Sequence, residues 1–252
     1  MICGRHYNDI DHITPVVYKW SRSGYRCTVI LIGFADVSND YRIQFLSMLA
    51  CVRVIDIRVL LTGTDYIQFR LINLVLYGHS SQYLNRQCYQ LLEILWPVGR
   101  RRQFWNKVAE KLLKTAFAHN SEGVVVFDWI SQKSVLPLEF VRHVLAIYRA
   151  RGDVSISLPH GDSPHFNELI RNHDFRIEPQ IKYAHSDMFD YIVCPNELCA
   201  KRYRPFINGT KIKVLGSARY SDEWLGILSK LLPLPAIRMN FRCFGRKYAV
   251  SL

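Results

Sequence analysis

The order of segments along the chain predicts an α/β fold, a parallel sheet with helices covering both faces. A continuous apolar run closed by glycine occupies residues 26–34, as expected for a buried parallel strand, and further strand segments recur at 123–128, 154–158, 190–194 and 211–215. Helical patterns alternate with them at residues 14–24, 137–150 and 197–203, the rhythm of βαβ units. Most of these runs also end at Gly, Pro or Asn in front of a polar loop, and ligands of such sheets bind beyond the carboxyl ends of the strands.

Taken in order, the chain offers only Met1-Ile2-Cys3 for an opening strand, a stub where an alternating fold needs a central one. Thr14 and Pro15 then read as a helix cap and first helical residue, Val16, Val17 and Trp20 as a buried stripe, and Gly24 as the stop. After the strand at 26–34, the region around residues 65–118 reads as a helical insertion. Apolar residues recur there at three- and four-residue spacing over 83–96 and 103–117. Lys107, Lys111 and Lys114 mark another face of the second helix, so it either packs on its own core or lies on an anionic membrane. The strand at 123–128, the helix at 137–150 stopped by Gly152, and the strand at 154–158 follow. The strand at 190–194, a helix over 197–203 and the strand at 211–215 complete the series. These elements form one expected domain, residues 1–232. The basic stretch 233–252, entered through Leu232-Pro233-Leu234-Pro235, shows no pattern and reads as a crossover toward a further domain.

Composition narrows the functional classes. With 49% hydrophobic and 21% charged residues the chain is a folded globular one and not a disordered polyelectrolyte. A net charge of +12 implies an acidic partner (phosphate-bearing substrates, an anionic membrane surface or nucleic acid) or else an ordinary solvated basic surface. Nucleic acid ranks lowest, since the densest basic run is Arg100-Arg101-Arg102 and neither zinc-finger spacing nor an RNP-like motif occurs. Seven cysteines have no framework spacing. Cys27, Cys51 and Cys194 sit in apolar runs, and Cys194 and Cys199 have no second pair to complete a zinc site, so a reducing cytoplasm, no metal and no cofactor are expected. No apolar stretch approaches the ~18 residues of a membrane span.

Four loops at strand ends hold the candidate site residues. The first, residues 5–12, is dense in His, Asn and Asp and precedes the Thr14-Pro15 helix start, which favours an anion or polarised oxygen. There His12 can act as a base oriented by Asp9 or Asp11, with Asn8 and Asp9 contacting substrate, or the loop is a turn of residues that mimic backbone. In the second, His160 stands at a strand end before Gly161. Histidine can take a proton from an attacking hydroxyl near neutral pH, and Asp162 can tune it. In the third, Asn196 either caps the following helix or contacts substrate. In the fourth, Gly216, Ser217 and Arg219 suit a phosphate, unless Arg219 pairs with Asp222 or Glu223. Walker, GxGxxG, HExxH and GxSxG sequences are missing.

Taken together, residues 8–15, Pro159-His160-Gly161 and Gly216-Ser217-Ala218-Arg219 resemble, in this order, loops of GT-B proteins of bacterial surface-polysaccharide synthesis. The closest theme is the CDP-glycerol glycerophosphotransferase (teichoic-acid polymerase-like) group, with UDP-N-acetylglucosamine 2-epimerases as more distant fold relatives. The resemblance spans about residues 5–232 and is strongest over 154–224. In that group a His-Gly pair supplies the acceptor-activating base, which the resemblance assigns to His160-Gly161. A Gly-x-Pro-Arg-x-Asp motif resembles residues 216–221, with Ala218 in the proline position, Ser221 in that of the acid and Asp222 one step beyond. Pro164 falls one place late for the group's proline, and its following lysine has no counterpart.

The resemblance implies a Rossmann-like acceptor-side domain at the inner face of the cytoplasmic membrane. Its partners would be a nucleotide-activated sugar or CDP-glycerol donor, a polysaccharide or lipid-linked acceptor, and a donor-binding domain on a separate chain. The alternatives are a non-catalytic remnant or binding module with a degenerate cleft, and a basic peripheral membrane-associated protein. The crevice should be lined by His12, His160, Asn196 and Arg219.

Overall fold

The computed structural model describes residues 2–3, 8–32, 39–77, 90–91, 94–116, 123–128, 138–158, 186–232, 238–243 and 246–251. Its centre is a seven-stranded sheet, parallel throughout, built from β1 (Ile2–Cys3), β2 (Cys27–Leu31), β3 (Val52–Asp56), β4 (Val124–Asp128), β5 (Val154–Leu158), β6 (Tyr191–Cys194) and β7 (Ile212–Val214). The spatial order is β3-β2-β1-β4-β5-β6-β7. This is the doubly wound order of a Rossmann-like fold, in which the chain works outward from β1 in one direction and then from β4 in the other. The stub Ile2–Cys3 is the central strand, held between β2 (Ile2↔Ile30, Cys3↔Leu31) and β4 (Ile2↔Phe127).

Strand β2 shows why both faces must be covered. Cys27, Val29 and Leu31 belong to one buried cluster, while Ile30 and Ile32 belong to another. On the first face lie α1 (Asn8–Arg22) and α2 (Tyr41–Ser47), which contribute Ile10, Ile13, Val17, Ile43 and Leu46. The second face is larger. It takes α3 (Ile57–Leu60), α4 (Thr64–Tyr77), α5 (Val98–Ala116), α6 (Leu138–Ala150) and α7 (Glu197–Tyr203). Trp105 ties three of these helices together, with its ring edge-on to Phe69 of α4, Phe104 of α5 and Phe140 of α6 at 5.3–5.8 Å. The apolar stripe of α5 is thus spent on the core. Its Lys107 and Lys111 both bind the carboxylate of Asp65 in the first turn of α4, at 2.9 and 3.0 Å. This helix packs on its own core rather than presenting those lysines as an open basic face.

Several expectations are corrected. Helix α1 begins at Asn8, six residues before Thr14, and Pro15 lies inside it. The Thr14 hydroxyl is buried and donates to the Ile10 carbonyl at 2.5 Å, so the residues that look like a cap belong to an interior turn. The anion site expected at a Thr14-Pro15 helix start is therefore not there. Helix α2 and strand β3 have no counterpart in the sequence expectation. Cys51, expected in an apolar run, is exposed. Most of the helix expected over 83–96 lies outside the described residues; of those described, 90–91 and 94–95 are helical.

By its contacts the chain divides into a first unit, Met1–Ser217, and a second, Ala218–Leu252, where the sequence suggested a break after residue 232. In the second unit Ser221 caps α8 (Asp222–Leu231) by accepting from the Trp224 amide. Residues expected to be unpatterned form an antiparallel hairpin, β8 (Arg238–Cys243) with β9 (Arg246–Ser251), paired from Arg238↔Ser251 to Cys243↔Arg246.

Candidate functional site

In a doubly wound sheet the binding crevice opens where the order reverses, here between β1 and β4. The chain leaves β1 toward the α1 face and leaves β4 toward the α6 face, so the two exits diverge at the carboxyl edge. Residues 4–7, 33–38, 129–137 and 159–185, which follow β1, β2, β4 and β5, lie outside the described residues. His160, Gly161 and Asp162 are among them, as is the Arg5-His6-Tyr7 part of the first loop. Three parts of the edge are described: the starts of α1 and α2, the turn from β3 into α3, and the ends of β6 and β7.

The α1 start is acidic. Asn8 opens the helix, and Asp9 and Asp11 occupy its first turn. Asp9 is buried. Asp11 accepts from Arg42 Nη1 at 3.1 Å, and Arg42 in turn clasps Asp40 through Nε at 2.9 Å and Nη2 at 2.6 Å. Asp40 is also the N-cap of α2, accepting from the Arg42 amide at 2.9 Å. The result is a part-buried Asp11–Arg42–Asp40 triad that fastens the first turn of α1 to the first turn of α2. The hydrogen bond from Arg42 is the largest cause holding the Asp40 carboxyl below its usual range, with burial opposing it. Asp40 likewise holds the Arg42 guanidinium in its charged form, above its ordinary value.

This arrangement has a chemical consequence. The positive end of a helix dipole attracts phosphate in dinucleotide-binding sheets. In this chain Asp9 and Asp11 stand in that first turn, Asp9 buried and Asp11 paired with Arg42, so the helix start already carries carboxylates of its own. Helical spacing also separates the roles of the two acids. His12 is adjacent to Asp11 and projects elsewhere around the helix, whereas Asp9 is three residues away on the same face. Asp11 serves the clasp to Arg42, and Asp9 lies about one helical turn before His12.

Beyond the end of β6, Asn196 accepts from the Cys199 amide at 2.8 Å and caps α7, the simpler of its two expected roles. Leu215 N donates to the Cys194 carbonyl at 3.2 Å, which brings the ends of β6 and β7 together. Gly216 follows with φ of +83°, a conformation that glycine adopts without a steric penalty. A side chain there would meet nothing within 4 Å, so the glycine serves the turn and not a close approach. Ser217 Oγ is buried and has no hydrogen-bond partner among the described residues. Arg219 belongs to the second unit, where its guanidinium lies 5.5 Å from the ring centre of Tyr220.

Asp40 and Arg42 escaped the sequence reading. Their signal was an Asp-x-Arg step in which the aspartate caps a helix and the arginine folds back on it. The same step recurs at Asp56-Ile57-Arg58, where Asp56 caps α3 and accepts from the Arg58 amide and guanidinium.

Among the described residues no group of three or more His, Cys, Asp or Glu can hold a metal ion, and no helix is long and apolar enough to cross a membrane. No family model, curated protein or solved structure matches the chain.

Proposed function

We propose that the chain is the acceptor-side domain of a GT-B type transferase, moving a glycosyl or glycerophosphate group onto a hydroxyl of a surface polysaccharide or lipid-linked acceptor. The observation that carries this reading is the acidic first turn of α1, with Asp9 and Asp11 at the carboxyl edge beside the switch point. An edge built this way favours a hydroxyl-bearing acceptor over a nucleotide, and the activated donor is left to a second domain, in the same or a separate polypeptide. Base catalysis falls to His160 with Asp162, two residues beyond the end of β5, or to His12 with Asp9. In glycerophosphate transfer the acceptor oxygen attacks the glycerol-bearing phosphorus of CDP-glycerol, the base takes the hydroxyl proton, and CMP leaves. From a sugar nucleotide, the same oxygen attacks the anomeric carbon and the nucleoside diphosphate leaves. The place of action proposed is the inner face of the cytoplasmic membrane.

The test is transfer from labelled CDP-glycerol and UDP-sugars to polyol or oligosaccharide acceptors, with and without a donor-domain chain. The expected result is turnover that His160→Ala or His12→Ala lowers by about 100-fold or more, the usual weight of a general base. Acceptor binding without turnover in any combination would make the chain a binding module with a degenerate cleft. Failure to bind any acceptor would overturn the proposal.

A further inference from the structure

The approach to α5 carries a surface that folding does not explain. Leu91, Ile94, Leu95 and Val98 are each 58–79% exposed, although Trp96 among them packs on the main core. Directly after them, Arg100, Arg101 and Arg102 fall in the first turns of α5, with Arg100 and Arg102 exposed. Cations at the start of a helix oppose its dipole, which favours acids there, and α5 has none in its first turn. An exposed aliphatic cluster and a misplaced basic run thus occupy adjacent positions. Each works against local stability, and such conflicts gather at functional places.

We propose that Leu91, Ile94, Leu95, Val98, Arg100 and Arg102 form a docking surface for an anionic membrane. Leu91, Ile94, Leu95 and Val98 enter the boundary between headgroups and acyl chains, while Arg100 and Arg102 meet lipid phosphates. Charge complementarity selects this occupant, since a chain of net charge +12 puts its densest basic run beside its exposed aliphatic side chains. The aliphatic character argues against single-stranded nucleic acid, whose bases stack on aromatic rings. The surface also relocates the membrane contact, because Lys107 and Lys111 are held by Asp65. It stands independently of the transferase reading.

The test is flotation of the full chain with vesicles of phosphatidylcholine alone or mixed with phosphatidylserine, at low and high salt, with duplex and single-stranded DNA as parallel arms. Binding is expected on the mixed vesicles only, falling as salt rises. Each exposed arginine contributes about fivefold to such partitioning, so Arg100→Gln with Arg102→Gln should weaken it by roughly thirtyfold. Ile94→Ser with Leu95→Ser should abolish it while leaving the circular dichroism melt unchanged, because both positions are exposed. The proposal is overturned if the chain ignores mixed vesicles or if both variants bind them as the parent does. It is equally overturned if the arginine change removes DNA binding alone, or if the chain is a dimer that the aliphatic change dissociates.

Discussion

Two Asp-x-Arg steps in this chain have the same local chemistry and different surroundings. In both, the aspartate caps a helix, the arginine amide donates to the cap, and the guanidinium returns to both carboxylate oxygens at 2.6 and 2.9 Å. The Asp56–Arg58 step opens the four-residue α3, and its arginine side chain is 41% exposed. The Asp40–Arg42 step opens α2, its arginine side chain is 9% exposed, and it also reaches Asp11 on another helix. A surface pair of this kind contributes about 0–1 kcal/mol, whereas removing one partner of a buried pair leaves an uncompensated charge. Burial and a second carboxylate therefore turn an ordinary cap into the clasp that sets the acidic edge of the sheet.

The sharpest way to break this comparison is to truncate each arginine. Arg42→Met should cost roughly 3 kcal/mol by chemical denaturation, since it strands Asp40 and Asp11. Arg58→Met should cost about 0.5 kcal/mol. Equal losses at the two sites would mean that the clasp is no more than a cap. A double-mutant cycle between Asp11→Asn and Arg42→Met should show a coupling of about 1 kcal/mol or more, because the contact joins two helices.

Acid sharpens the same point. Asp40 is held below its ordinary value in the folded chain, so its contribution is complete above about pH 4, the unfolded value, and is lost as pH falls through the folded value. In an acid melt series, Asp40→Asn should flatten that part of the stability profile. A profile indistinguishable from that of the parent chain would contradict the clasp. At the opposite edge the expected effects are smaller and local. Gly216→Ala should cost about 1 kcal/mol for its positive φ, and Asn196→Ala about 1 kcal/mol or less for the lost cap.

What the sequence revealed of this fold depended on burial on both sides. Strands β4 and β6 are apolar runs and stood out, β5 showed as Val, Ile and Leu alternating with serine, and the cap at Asn196 and the helix it opens were also legible. Strand β3, Val-Arg-Val-Ile-Asp, lies at the sheet edge, where an arginine is tolerated and the apolar run is broken. The hairpin 238–251 was hidden by its charge, although Arg238-Met239-Asn240-Phe241-Arg242-Cys243 alternates polar and apolar residues as a strand does. Thr14-Pro15 misled because a threonine bonded back to the preceding turn and a proline inside a helix carry the same letters as a cap and a first helical residue. Of the candidate site, the acidic loop was legible from its residue types. The clasp was not, because Asp11 and Arg42 are 31 positions apart and only the packing of α1 beside α2 brings them together.

The central claim is that the acidic start of α1 receives a hydroxyl-bearing acceptor. The most direct measurement is a titration of the isotopically labelled chain, followed through its backbone amide resonances, with a polyol or oligosaccharide acceptor and, separately, with a nucleoside diphosphate. The account predicts that the acceptor shifts the amides of Asp9 to His12 and of Arg42, that Asp9→Asn suppresses these shifts, and that the nucleotide leaves them in place. Shifts at these residues with the nucleotide and none with the acceptor would contradict it.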